Sequence, residues 1–281
     1  MPARRAGGPH LRAPAMTLQP TLYLPHGGGP CFFMDWSWGP PDTWHRLAAW
    51  LGTLGASLPE RPAALLVVSA HWEAPVPTCT TGERPALIYD YEGFPPHTYE
   101  LEWPAPGAPA LTARVQALLA EAGLPAAGDA TRGFDHGVFV PLKVAFPAAD
   151  VPTVALSLQA GLDPAAHLAI GRALAPLRAE GVLLVGSGMS YHNLRAFMTP
   201  RALADSRAFD EWLTDAVTSP RAPREVALAH WDEAPAARAS HPRAEHLLPL
   251  MVAAGAGGEA PGRRVFGDEV MGAVVSAFRF D

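Results

Sequence analysis

Cysteine is scarce: the 281 residues include two, Cys31 and Cys79. They stand in unrelated contexts and form no CxxC pair, which speaks against a disulfide framework or a thiolate zinc site and points to reduced thiols in the cytoplasm. No uninterrupted apolar run approaches the roughly 18 residues that span a bilayer, so a soluble chain with no membrane partner is expected. Lys and Arg form no block and the formal net charge is −6. That argues against nucleic acid or an anionic membrane surface as partner and leaves a small organic molecule. Also missing are a GxSxG elbow, a P-loop and a GxGxxG after a strand. The run His26-Gly27-Gly28-Gly29 has the glycines of a phosphate loop without its Lys and Ser/Thr.

Hydrophobic residues, by contrast, make up 49% of the chain and charged ones 17%, enough for a sizeable core in one domain. Residues 1–20, with Arg4, Arg5 and Arg12 among Pro, Gly and Ala, have the charge of a signal n-region but no apolar segment behind it. They read as a disordered N-terminal extension, with Met16 as an alternative start, ahead of a single catalytic domain over 21–281. In that domain, Ala63-Ala64-Leu65-Leu66-Val67-Val68 breaks into Ser69-Ala70-His71-Trp72-Glu73. This is how a strand buried on both faces reads as it leaves a sheet at its carboxyl end. Thr21-Leu22-Tyr23-Leu24-Pro25 likewise ends in His26, and Val182-Leu183-Leu184-Val185-Gly186-Ser187-Gly188 leads to His192.

Further strands are expected over 151–159, 263–266 and 273–280, the last two at a sheet edge. Trp44, Leu47, Ala48, Leu51 and Leu54 keep helical spacing behind Asp42 as N-cap. So do Leu111, Val115, Leu118, Leu119 and Ala122 after Pro104-Ala105-Pro106-Gly107. Asp163 and Pro164 open a helix through Leu168, Leu174 and Leu177. Most of 202–254 reads as helical, its last helix containing Glu245 and His246. Strands alternating with helices give an α/β fold, a mixed and mostly parallel central sheet with helices on both faces. Phe32, Phe33, Trp36 and Trp38 either wall a pocket or tuck onto the core. Residues 76–103 read as short β-like pieces and turns, with 89–99 as a lid or pocket wall.

Histidine is plentiful, with eleven in the chain. His45 and His167 fall inside amphipathic helices, His10 in the extension, and His230 and His241 in polar contexts, all read as solvated or structural. His97, in the lid segment, is ambiguous. His26, His71, His136, His192 and His246 each stand beside a strand exit, a glycine turn or a helix start. Ligands bind outside the carboxyl ends of strands in open α/β sheets, so these histidines would meet along one edge. Imidazole is the commonest metal ligand, and three suffice while leaving positions open for substrate. The alternative is a scatter of individually satisfied histidines.

Six motifs then stand in order: His26-Gly27-Gly28-Gly29-Pro30; Val68-Ser69-Ala70-His71-Trp72; Gly93-Phe94-Pro95 with Pro104-Ala105-Pro106-Gly107; Gly133-Phe134-Asp135-His136-Gly137; Gly186-Ser187-Gly188 through His192-Asn193-Leu194; and Glu245-His246-Leu247-Leu248-Pro249-Leu250. Together they resemble the LigB-type class III extradiol ring-cleavage dioxygenases, most nearly the 4,5-DOPA extradiol dioxygenase branch, from about residue 21 to the C-terminus. One departure is Gly29, where that branch commonly has Ser. The resemblance implies His26, His71 and His246 as metal ligands, the last where two-subunit relatives carry a glutamate. It implies His192 as the catalytic histidine, near enough to the metal to count as a fourth ligand, and His136 as a catalytic pocket histidine beside the oxygen site. It further implies Fe(II) as cofactor of the active form, Zn(II) in protein as isolated, and a small aromatic diol and O2 as partners, with an oligomer open. Two rival readings use the same histidines: a zinc-dependent hydrolase that activates water, and a non-enzymatic metal-binding protein on the same fold.

Overall fold

The computed structural model describes residues 17–281. The N-terminal extension lies outside the described residues as far as position 16, but its inner end is held. Gln19 is fully buried, its backbone N donating to the Arg178 carbonyl at 3.0 Å and its carbonyl accepting from Arg178 Nε at 2.7 Å.

Eight strands, β1 Thr21–Pro25, β2 Ala64–Ala74, β3 Thr78–Thr80, β4 Ala127–Asp129, β5 Thr153–Gln159, β6 Val182–Gly188, β7 Arg263–Val270 and β8 Ala273–Phe280, form one sheet. Their order is β4-β3-β5-β2-β6-β1-β8-β7. The central strands β5, β2, β6 and β1 run parallel. Antiparallel pairing is confined to β3 against β5 and to β1-β8-β7. The central runs are continuous because both sides are covered: Leu66 and Val68 of β2 and Leu184 of β6 enter one hydrophobic cluster, Leu65, Val67, Leu183 and Val185 the other. Helices α1 His45–Ser57 and α3 His136–Ala145 cover the second face; α2 Pro109–Glu121, α4 Pro164–Leu174, α5 Pro200–Thr218, α6 Arg221–Ala229 and α8 Leu248–Ala256 cover the first. The one-turn α7 is Ala237–Ser240.

Several local expectations change. Asp163 does cap α4, accepting from Ala165 N at 2.9 Å, but Asp42 does not cap α1. The N-cap there is Trp44, without a side-chain bond, and Asp42 offers only its carbonyl, to His45 N. Glu245 and His246 lie in the turn before α8 rather than inside it, with Pro249 in the first helical turn, where it gives up no hydrogen bond. Helix α3 shows no polar stripe because His136 through Leu142 are all buried, and Pro141 lies within it. The two cysteines are buried and unpaired. Among the described residues no helix is long and apolar enough to cross a membrane.

Candidate active site

Adjacency of β2, β6 and β1 puts three carboxyl-end exits side by side, and each delivers a histidine. His26 directly follows β1, and His192 comes four residues after β6. His71 lies within β2, not beyond it: pairing with β6 ends at Ser69, and the register with β5 shifts between Ser69 and Glu73. Ala70, His71 and Trp72 therefore bulge out of the ladder. His136 opens α3 and His246 precedes α8. The His246 carbonyl accepts from Met189 N at 3.1 Å and from the buried Tyr23 hydroxyl at 2.8 Å, which ties that turn to the exits of β6 and β1.

The five histidines form one array. His26 Nε2 and His71 Nε2 are 3.2 Å apart. The His246 ring centroid lies 5.2 Å from that of His26 and 4.8 Å from that of His71. His136 lies 3.9 Å from His71, and His192 stacks on His246 at 3.3 Å and 15°. Donor atoms of His26, His71 and His136 fall within 4.8 Å of one another, as do those of His192, Glu245 and His246.

Behind the rings stand groups that fix which nitrogen is bare. Ser187 Oγ donates to the Gly137 carbonyl, so toward His26 Nδ1, at 3.2 Å, it accepts. His26 thus carries its proton on Nδ1 and a lone pair on Nε2. Glu245 Oε1 lies 2.9 Å from His246 Nδ1 and 3.3 Å from His192 Nδ1. Asp90 stands on the other side: its Oδ1 accepts from the His136 backbone N and from His136 Nδ1, both at 2.9 Å, while its Oδ2 lies 3.7 Å from His71 Nδ1. Glu245 therefore serves two histidines, while Asp90 holds His136 and only stands near His71.

Burial, reinforced by neighbouring imidazoles, pushes His26 and His71 well below the ordinary imidazole value. Burial likewise takes His246 down to about 3, against the Glu245 hydrogen bond. These rings are neutral at neutral pH. Burial raises Glu245, but hydrogen bonds from His192 and His246 outweigh it and hold the carboxyl far below its usual range. At Asp90 burial is likewise outweighed by His136, with a net lowering.

Such a cluster fits a metal ion. His246 Nε2 is buried with no partner, a costly state for a lone pair unless a cation completes it. The 3.2 Å between His26 Nε2 and His71 Nε2 matches the about 3.0–3.4 Å expected of two nitrogens each about 2.1 Å from one ion.

All five histidines line a cavity of about 250 Å³ whose other walls include the aromatic rings of Trp36, Trp38, Trp44, Phe94 and Phe197. The aromatic loop therefore divides: Trp36 and Trp38 wall the pocket, while Phe32 and Phe33 pack against the core. Segment 89–99 supplies Phe94 to the wall and Asp90 behind His136. Gly29, the departure from the resembled pattern, has φ +55°, and a Cβ there would come within 2.9 Å of Phe94 Cζ. The left-handed backbone and the phenyl ring together favour glycine. His167 and His241 are wholly enclosed, not solvated: His167 accepts from Gln159 N, and His241 Nε2 bonds the Ser190 carbonyl. His97 sits outside, bonded to the Phe33 carbonyl. Asp135 is not in the pocket; it is a buried strut accepting from Ser69 Oγ and Arg132. Sequence reasoning missed Asp90 and Glu245, although Glu245 adjoins His246.

A family model for the catalytic LigB subunit of aromatic ring-opening dioxygenase matches residues 38–279. The dioxygenase tasH of Hapsidospora irregularis is 40% identical over 282 residues, 92% of this chain and 84% of that protein. A 4,5-DOPA dioxygenase extradiol of Portulaca grandiflora is 45% identical over 207 residues, 72% of this chain and 75% of that protein. The crystal structure of an uncharacterized protein from Escherichia coli K12 superposes with a TM-score of 0.75 at 32% identity, covering 94% of this chain and 100% of that one. With a histidine-lined cavity at the carboxyl edge of the sheet and a family match over most of its length, the chain belongs to the LigB family and is an extradiol aromatic ring-opening dioxygenase.

Proposed function

We propose that this chain opens the ring of a small catechol of the DOPA type with O2, and that His26, His71 and His246 hold a non-haem Fe(II). The buried, unpartnered Nε2 of His246 beside the His26–His71 pair carries this reading. A cavity of about 150 Å³ already accommodates benzene, so the present cavity of about 250 Å³ suits one ring with a short side chain. Zn(II) fits the same imidazoles. The buried, unpaired thiols suit a reducing compartment, and we place the chain in the cytoplasm.

Fe(II) held by these imidazoles would supply Lewis acidity toward the diol and redox capacity toward O2. The aromatic walls orient the ring and exclude water. His192, with its Nδ1 beside the Glu245 carboxylate, takes a hydroxyl proton on Nε2 and later returns it. Glu245 stabilises the charge that ring gains. His136, braced at Nδ1 by Asp90, donates from Nε2 to charge developing on oxygen in its doubly protonated form, whose charge the Asp90 carboxylate balances.

The test is anaerobic loading with Fe(II), then an oxygen electrode and a panel of catechols. Stoichiometric O2 uptake with a ring-opened semialdehyde product is expected. No uptake with any catechol would reject the reading, and ester or amide hydrolysis by the zinc form would replace it with a hydrolase.

Asp90→Asn probes the brace. An amide cannot accept from both His136 nitrogens and hold anionic charge beside them, so kcat/KM should fall about 10–100-fold, the usual worth of such a partner. Tm should move little, because the Asn Oδ1 can still accept from the His136 backbone N. A clear loss of Tm with unchanged kcat/KM would make Asp90 a structural residue only.

A further inference from the structure

Along the outer groove beside the cavity two residues share an uncommon backbone conformation. Among the described residues, the non-glycine positions with positive φ are Ala149, Leu162, Met198, Ala236 and Met271. Met198 and Met271 are joined, Met198 N donating to the Met271 carbonyl at 2.7 Å. The bond ties the segment after His192 to the tip of the β7–β8 hairpin. That tip is a two-residue turn, Met271-Gly272, between the paired Val270 and Ala273. Its φ values are +52° and +73°, the doubly positive pattern of a type I′ turn, where Asn-Gly is favoured and an unbranched apolar side chain is strained.

The position of the methionine side chain explains what the strain is for. Met271 lines the catalytic cavity and also a separate, open groove of about 370 Å³ with polar walls that include Asp42, Arg46 and Glu269. The two spaces share Trp38 and Met271. Trp38 is set by its neighbours, with ring centroids 5.1 Å from Trp36 and 5.2 Å from Phe94. Met271 is the half of the divider with a flexible, adaptable side chain. We infer that Met271 is the specificity-determining partition between the catalytic cavity and the outer groove, limiting how long a ring substituent the substrate can carry. The inference rests on the catechol reading above. Without this side chain the spaces merge, and a substituent with a polar end extends into the groove while the diol keeps its place.

The experiment compares wild type, Met271→Asn and Met271→Gly, all loaded with Fe(II). The substrates are unsubstituted catechol and a catechol bearing, opposite one hydroxyl, a long chain that ends in a primary amide. Both new residues accept positive φ, so both variants keep the turn, and Met271→Asn should melt at or above the wild-type Tm. The ratio of kcat/KM for the long substrate to that for the short one should rise at least about ten-fold in both variants, the scale on which one misfitted methylene is discriminated. An unchanged ratio in both folded variants overturns the partition. A wild-type ratio already near unity also overturns it, and a lowered Tm in Met271→Asn overturns the strain argument. Wild-type enzyme that turns over no catechol fails the catechol reading itself, a result distinct from an unchanged ratio.

Discussion

Metal-stripped His71→Ala is expected to take up much less than one ion per chain from a stoichiometric supply of Fe(II) or Zn(II), where wild type takes up one. Each of the three proposed ligands presents a neutral imidazole, and the His26–His71 nitrogen pair is the tightest contact among them. Removing one member leaves two histidines and should lower affinity by more than the about 10–100-fold that an outer partner is worth. Ring-opening activity should fall with it. The fold should survive, because His71 stands in the bulged part of β2, where pairing with β6 has ended. The space its ring leaves opens into the cavity and can fill with water.

Chelation gives a second readout. An ion that binds only the folded chain stabilises it by about 4 kcal/mol when present at about 1,000 times its Kd. Wild type should therefore lose several degrees of Tm when chelated, and His71→Ala should not. Full metal content in the folded variant, or an equal chelator shift, would remove His71 from the ligand set.

The centre of the sheet is legible in the sequence because burial on both faces of β2, β5 and β6 writes uninterrupted apolar runs. The order of those strands is not: nothing in Leu65 through Val68 says that β6 comes between β2 and β1. The site was legible all the same, since parallel strands share an exit edge whatever their order, and His26, His71 and His192 each follow such a run. Helix α3 left no periodic trace because all of its faces are buried. Asp90 meets His136 across 46 residues of chain, and a lone Asp between two tyrosines carries no local sign of that partnership. Glu245 is different: its contact with His246 is between neighbours, and a carboxylate beside a proposed ligand is a signal the sequence held. His241 reads as polar only until Phe209 and Trp231 close around it.

His192→Gln should keep its iron and its affinity for catechol yet lose about 10²–10⁴-fold in kcat, the usual worth of a positioned acid or base. His192 shares a donor-atom group with Glu245 and His246, but where His246 is buried, His192 is partly exposed. Its ring lies flat on His246, and it lines both the catalytic cavity and the groove beyond Asn193. A residue with one side toward substrate and the other toward solvent can receive a proton and pass it on, which a ligand buried on every side cannot do. Glutamine retains the length and a hydrogen-bonding end but cannot take the proton, so binding should persist while chemistry slows. If His192 is instead an obligatory ligand, metal affinity should drop in step with kcat and excess Fe(II) should restore part of the rate. Iron stoichiometry and kcat measured on one preparation separate the two roles, and unchanged values of both would take His192 out of the reaction.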